Sequence, residues 1–187
     1  MHKCAWALAS PIEEQYHDRE WGVPVHDDRL LFEFLILEGA QAGLSWRTIL
    51  NKREAYRAAL ANFDANTIAA YGEESLQQLL QNPGIIRNKM KLRSAINNAR
   101  CFLEVQQQYG SFDQYIWQFV GGETRQNLLP SLERMPALSP ESEQMSRSLK
   151  QKGFSFVGPT ICYAFMQAVG MVNDHVVACY RHRELSH

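Results

Sequence analysis

The chain has 187 residues, 19 Lys and Arg against 20 Asp and Glu, and a formal net charge of −1, so bulk electrostatics predict neither a nucleic-acid binder nor a membrane-surface protein, and any such role must come from local charge. No apolar run approaches the roughly 20 residues of a membrane span, and the apolar part of MHKCAWALAS is too short for a secretory signal. The expectation is a cytosolic protein without membrane contact, whose four cysteines are buried thiols or metal ligands rather than disulfides.

The hydrophobic period is helical throughout, which predicts an all-α fold, with residues 1–187 forming one domain of two intimate lobes. HDDRLLFEFLILEG starts at an Asp27 or Asp28 cap and is apolar nearly all round, which marks a helix buried on most sides. SWRTILNKREAYRAAL follows a serine cap, and Asp64 precedes a short amphipathic segment. Beyond Asn82-Pro83-Gly84 a long helix is expected from about Asn88 to Gln107. Pro130, Pro136 and Pro140 punctuate a connecting loop. A helix capped by Ser139, with Pro140 at its first position, then closes at Gly153, and PTICYAFMQAVG is the last core helix.

Three constellations carry chemistry. The first is the turn from Phe156 to Thr160, where Gly158 opens onto a helix start whose free N–H groups suit a phosphate oxygen. Near it in composition is the acid-free run Arg87, Lys89, Lys91, Arg93 and Arg100, with Lys150 and Lys152 beside the turn, while acids concentrate between residues 13 and 38. Segregation of this kind suits a surface facing a duplex. The second is a Cys/His set: Cys4 with His17, and His175 four residues before Cys179, on one face if that stretch is helical. Two such pairs make a closed tetrahedral site for one structural zinc joining the two ends of the chain. The third is Glu38, which shares a helix face with Leu31, Phe34 and Leu35 and so follows an apolar stripe inward, either to a salt bridge or into an aromatic cavity.

CAW, YHDREWGVP, LEGAQAGLSW, PGIIRNKMKLRSAINNAR and FVGPTICYAFMQAVGMVNDH resemble, in order and over nearly the whole chain, the bacterial 3-methyladenine DNA glycosylase I family, the zinc-containing branch of the helix-hairpin-helix DNA glycosylases. The resemblance implies a pocket between the lobes for a base flipped out of alkylated double-stranded DNA. Glu38 would hydrogen-bond that base, with Tyr16 as a second polar partner and Trp46, Trp6 and Trp21 as aromatic walls. Gln41 and Leu44 would fill the hole left in the duplex, and Gly158, Thr160, Lys89 and Lys91 would grip its backbone. It also implies a monomer, and hydrolysis without strand cutting, since PTICYAFMQAVG lacks the lysine that strand-cutting members carry beside the hairpin helix.

Two positions depart from the family pattern. Asn173 stands where the superfamily commonly has an aspartate, and a neutral amide cannot act as a strong base. Glu13 replaces a usual pocket tyrosine. With Glu14 and Gln15 beside it, Glu13 is expected at a solvated rim, pointing to water. Two rival functions stay open: a glycosylase for other or bulkier N3-alkylpurines, and a zinc-stabilised protein that binds DNA damage without excising anything.

Overall fold

The computed structural model of the protein describes residues 2–186. Helix starts follow the capping signals closely. α1 (Pro11–Arg19) opens on Ser10, α2 (Asp28–Gln41) on Asp27 and α3 (Trp46–Ala59) on Ser45, each side chain accepting from an amide of the first turn. The short α4 (Ala65–Ala69) and α5 (Glu73–Gln81) lead to the long α6 (Lys89–Tyr109), capped by Asn88, and to α7 (Phe112–Trp117). α8 (Pro140–Gln151) begins in a capping box of Ser139 with Ser142. Its end needs the left-handed Gly153, and after a short turn α9 (Pro159–Ala168) runs back against it. α10 (Tyr180–Glu184) closes the described chain.

The centre is α2, buried without a break from Leu31 to Ala40 because its neighbours α3, α6, α7 and α9 cover it from several sides. That arrangement explains why its sequence is apolar all round. A cluster of Phe32, Phe102, Phe112 and Tyr115 knits α2, α6 and α7 together. Gly170 (φ +73°) lets the chain after α9 pass so close to Val23 and Pro24 that a Cβ there would lie 2.4 Å from the Pro24 nitrogen.

The helical expectation holds, with local departures. Arg125–Gln126 and Val172–Asn173 form a two-residue parallel pair, continued by a bridge between Leu129 and Val176. Pairing this short leaves no alternating pattern to read. α6 runs two residues past the expected end. Ala61, Asn62 and Phe63 all take positive φ, a left-handed turn that separates α3 from α4. The stretch from His175 to Cys179 is a turn rather than a helix, closed by Cys179 N donating to Val176 O at 2.7 Å. Among the described residues no helix is long and apolar enough to cross a membrane.

Candidate active site

A pocket of about 300 Å³ opens where α1, α2, α3 and α9 meet, lined by Trp6, Glu13, Tyr16, Trp21, Glu38, Gln41 and Trp46. The rings form a connected wall: Tyr16 lies 5.5 Å from Trp46 and 6.4 Å from Trp6, and Trp6 meets Trp21 edge-on at 5.0 Å. All the aromatic residues expected at the pocket are thus found there. Among the described residues Trp46 Nε1 is buried without a hydrogen-bond partner, beside the cavity and the Tyr16 ring.

α2 carries two buried acids, each about 4 % exposed, with opposite surroundings. Glu33 accepts from Arg53 Nε at 2.6 Å and from Arg57 Nη2 at 2.7 Å, and Arg53 also reaches Glu20 at 2.6 Å. Glu38, five residues on, has no hydrogen bond or ion pair among the described residues. Desolvation alone pushes its carboxyl up to about 8. Burial, with the Glu38 charge second, raises the Tyr16 hydroxyl well above its ordinary range, so it stays protonated. The ion-pair role open to Glu38 in the sequence therefore belongs to Glu33.

Glu13 corrects its expectation. Its side chain is 14 % exposed and does not point to water. Oε2 accepts from Arg47 Nε and Nη2 at 2.8 and 2.7 Å and from Ser10 Oγ at 2.7 Å, so one pocket wall is an ion pair. Arg47, which sits on α3 and is remote in sequence, neutralises the carboxylate in that wall.

At the mouth, the loop after α2 turns through Gly43 (φ +77°) and exposes 36 % of Leu44, with Gln41 Nε2 donating to Leu44 O at 2.9 Å. The turn before α9 has open space around Gly158, and α9 starts without a side-chain cap. The amides of Thr160 and Ile161 are left unsatisfied there, as at any uncapped helix start. The basic run is divided. Lys89 and Arg87 are exposed, whereas Arg93 pairs with Glu73 and Arg100 donates to Ala69 O and Tyr71 O. Lys91 Nζ donates to Ala40 O and Ala42 O.

Behind the aromatic wall, Cys4, His17, His175 and Cys179 are all buried, and their donor atoms lie within 4.8 Å of one another. The set fits a tetrahedral ion. Cys179 Sγ is 3.4 Å from His17 Nε2 and 3.7 Å from His175 Nδ1, and Cys4 Sγ is 3.8 Å from His175 Nδ1. Metal bonds of about 2.0–2.3 Å give edges of this length. The other nitrogen of each ring is held, His17 Nδ1 by Asp18 at 2.8 Å and His175 Nε2 by Trp21 O at 3.0 Å, which aims the remaining nitrogen inward. The four residues converge although His175 to Cys179 is not helical.

Sequence reading did not identify Met135, Ala164 and Gln167, which complete the pocket. Gln167 Nε2 donates to Asp174 at 2.8 Å, and Asp174 also accepts from Tyr163 and Asn127. Ala164 and Gln167 stand three apart on one face of α9, a weak signal, and Met135 in its loop gives none. Asn173 is fully buried away from the pocket and bonds Gln126 and His182 O. Its role in the structure is that of a tie between chain segments.

Flat aromatic walls and one unpaired carboxyl define a site for a flat heteroaromatic ring. Comparison with known proteins gives the same class. The methyladenine glycosylase family model matches residues 6–182. DNA-3-methyladenine glycosylase 1 of Escherichia coli (strain K12) is 46 % identical over 179 residues, 96 % of both chains. A crystal structure of 3-methyladenine DNA glycosylase I superimposes with a TM-score of 0.94 at 49 % identity, covering 96 % of this chain and 98 % of that one. A variant of such an enzyme in complex with 3-methyladenine gives 0.93 at 34 % identity, covering 96 % and 97 %. The chain belongs to the methyladenine glycosylase family.

Proposed function

We propose that the protein hydrolyses the N-glycosidic bond of 3-methyladenine in alkylated double-stranded DNA, releasing the base and leaving an abasic site. The observation that carries this reading is Glu38, buried and unpartnered at the end of an aromatic pocket. A buried carboxyl without a partner is costly unless a ligand supplies one. An N3-alkylated adenine in DNA is cationic, which matches a carboxyl ready to ionise and walls that attract a cation through their ring faces.

The chemistry needs little from the protein beyond binding. The positive charge has already weakened the glycosidic bond. When it breaks, its electron pair passes to the base, which leaves neutral, while a water oxygen bonds to the sugar carbon and one water proton goes to solvent. Glu38, the protonated Tyr16 and the Trp46 indole N–H orient the base, and Trp6, Trp21 and Trp46 enclose it. No lysine is among the residues lining the pocket, which supports hydrolysis without strand cleavage.

Gln41 and Leu44 fill the space the base leaves in the duplex, while the amides near Gly158 and Thr160, with Lys89, hold phosphates. Cys4, His17, His175 and Cys179 hold one zinc ion. Four protein ligands leave it no open position, so its contribution is structural. The reading takes the protein as a monomer, and a DNA-repair enzyme suits a cytosolic place. The Glu13–Arg47 wall favours a second reading in which bulkier N3-alkylpurines are also accepted.

The test is mass identification of bases released from DNA treated with a methylating agent. Release of 3-methyladenine is expected. Binding to the treated DNA with no base released would instead establish a damage-binding protein.

A further inference from the structure

The basic run at the start of α6 contains one half-buried lysine whose amine donates to backbone carbonyls. Lys91 Nζ lies 2.9 Å from Ala40 O and 2.6 Å from Ala42 O, at the point where α2 ends and the loop carrying Gln41 and Leu44 begins. The last carbonyls of a helix have no intrahelical donors, and a cation there also meets the negative end of the helix dipole. The loop is itself a closed ring: Leu44 N donates to Gln41 O at 2.7 Å and Gln41 Nε2 donates back to Leu44 O. Lys91 ties the base of that ring to α6.

Three and seven residues further along the same helix face, Ser94 and Asn98 hold the turn before α9. Ser155 O accepts from both, at 3.2 and 2.9 Å, and Ser155 N donates to Asn98 Oδ1 at 2.9 Å. One stripe of α6 therefore grips the pocket-side loop with its first residue and the phosphate-side turn with the next two. Between these two loops Gly39 of α2 packs on Phe156, whose Cβ would lie 3.3 Å from a Cβ at Gly39.

We propose that Lys91 is a positioning residue, not a phosphate ligand: it fixes the Gln41–Leu44 loop in register with the turn before α9. The inference rests on the proposed glycosylase function, because register matters only if both loops engage one duplex around an extruded base. With the amine removed, the loop is untied while Glu38 and the aromatic walls stay in place.

The experiment compares Lys91→Met, Lys91→Arg and Lys89→Met with the wild type. It measures single-turnover release of 3-methyladenine from duplex DNA, affinity for free 3-methyladenine, salt dependence of duplex affinity, and amide exchange in residues 41–45. Lys91→Met is expected to slow release by roughly ten- to hundredfold, to speed amide exchange in the loop, and to leave free-base affinity and salt slope unchanged. Lys91→Arg, which keeps donors at the carbonyls, restores most of the rate. Lys89→Met, by contrast, flattens the salt slope by about one.

The proposal is overturned if Lys91→Met flattens the salt slope by about one with its release rate intact. It is equally overturned if free-base affinity falls in parallel with the rate and Lys91→Arg does not restore it, or if loop exchange does not change. Absence of base release by the wild type would count against the glycosylase reading instead, and loop exchange would still report on the tie.

Discussion

Replacing Glu38 by Gln should make the folded protein more stable while impairing excision. Raising a carboxyl from its ordinary 4.5 to about 8 by burial corresponds to about 5 kcal/mol against ionisation in the folded state. Because the folded pKa is the higher one, the folded state binds the extra proton, and the wild type loses stability as pH rises from about 4.5 to about 8. Below that window the effect is absent, and above it the loss is complete. Glutamine never ionises, so the gap between variant and wild type should be near zero at pH 4. Near pH 7 it should reach roughly 3 kcal/mol, or a melting temperature higher by roughly 6–12 °C for a chain of this size. Thermal melts of both proteins between pH 4 and 9, with excision followed in parallel, check this. A gap that stays flat across the range, or a variant less stable than the wild type at pH 8, would show Glu38 ionised and paired and refute the reasoning.

The neighbouring acid gives the opposite sign: Glu33→Gln leaves Arg53 and Arg57 without their shared carboxylate and should cost roughly 3–5 kcal/mol in a denaturant titration. Elemental analysis should find about one zinc per chain, and Cys179→Ala should lose the metal and lower the melting temperature. A metal-free native protein would contradict that assignment. Glu13→Tyr removes a paired carboxylate from the wall and frees Arg47, and should change the ratio of 3-methyladenine to bulkier N3-alkyladenine excision. An unchanged ratio means that Glu13 takes no part in selection.

Most helix starts were legible because capping is local: Asp27, Ser45, Asn88 and Ser139 each bond an amide within the next three residues, whereas the start at Ser10 was not read. The inward direction of Glu38 was legible for a similar reason, since the helical period alone puts it on the stripe of Leu31, Phe34 and Leu35. Pairing was not legible. Whether Glu33 or Glu38 meets a guanidinium depends on how α3 lies across α2, and the partner residues stand 20 and 24 positions away. Glu13 and Arg47 are separated by 34, so a residue that reads as solvated beside Glu14 and Gln15 is in fact tied down. Lys91 was legible as a cation but not as a donor to backbone, because carbonyls carry no sequence signature. The metal set could be found from residue types, yet the four-residue spacing of His175 and Cys179 is met by a turn, which also brings ligands four apart together.

The metal cluster and the pocket are not separate devices. Trp6 packs edge-on against His17 at 5.4 Å, and Trp21 against His175 at 4.5 Å, while the Trp21 carbonyl holds the far nitrogen of His175. Two of the rings lining the pocket therefore rest directly on the two imidazoles. The opposite wall has a different support: Trp46 stands on α3, which is capped by Ser45, and Tyr16 on α1. An unpartnered carboxyl would draw water or collapse if the walls around it were loose, because either response relieves its desolvation. Rigid support for the Trp6–Trp21 side therefore holds walls that keep Glu38 about 4 % exposed. An ion held by Cys4, His17, His175 and Cys179, as proposed above, would fix the segments that carry those two imidazoles and with them that wall.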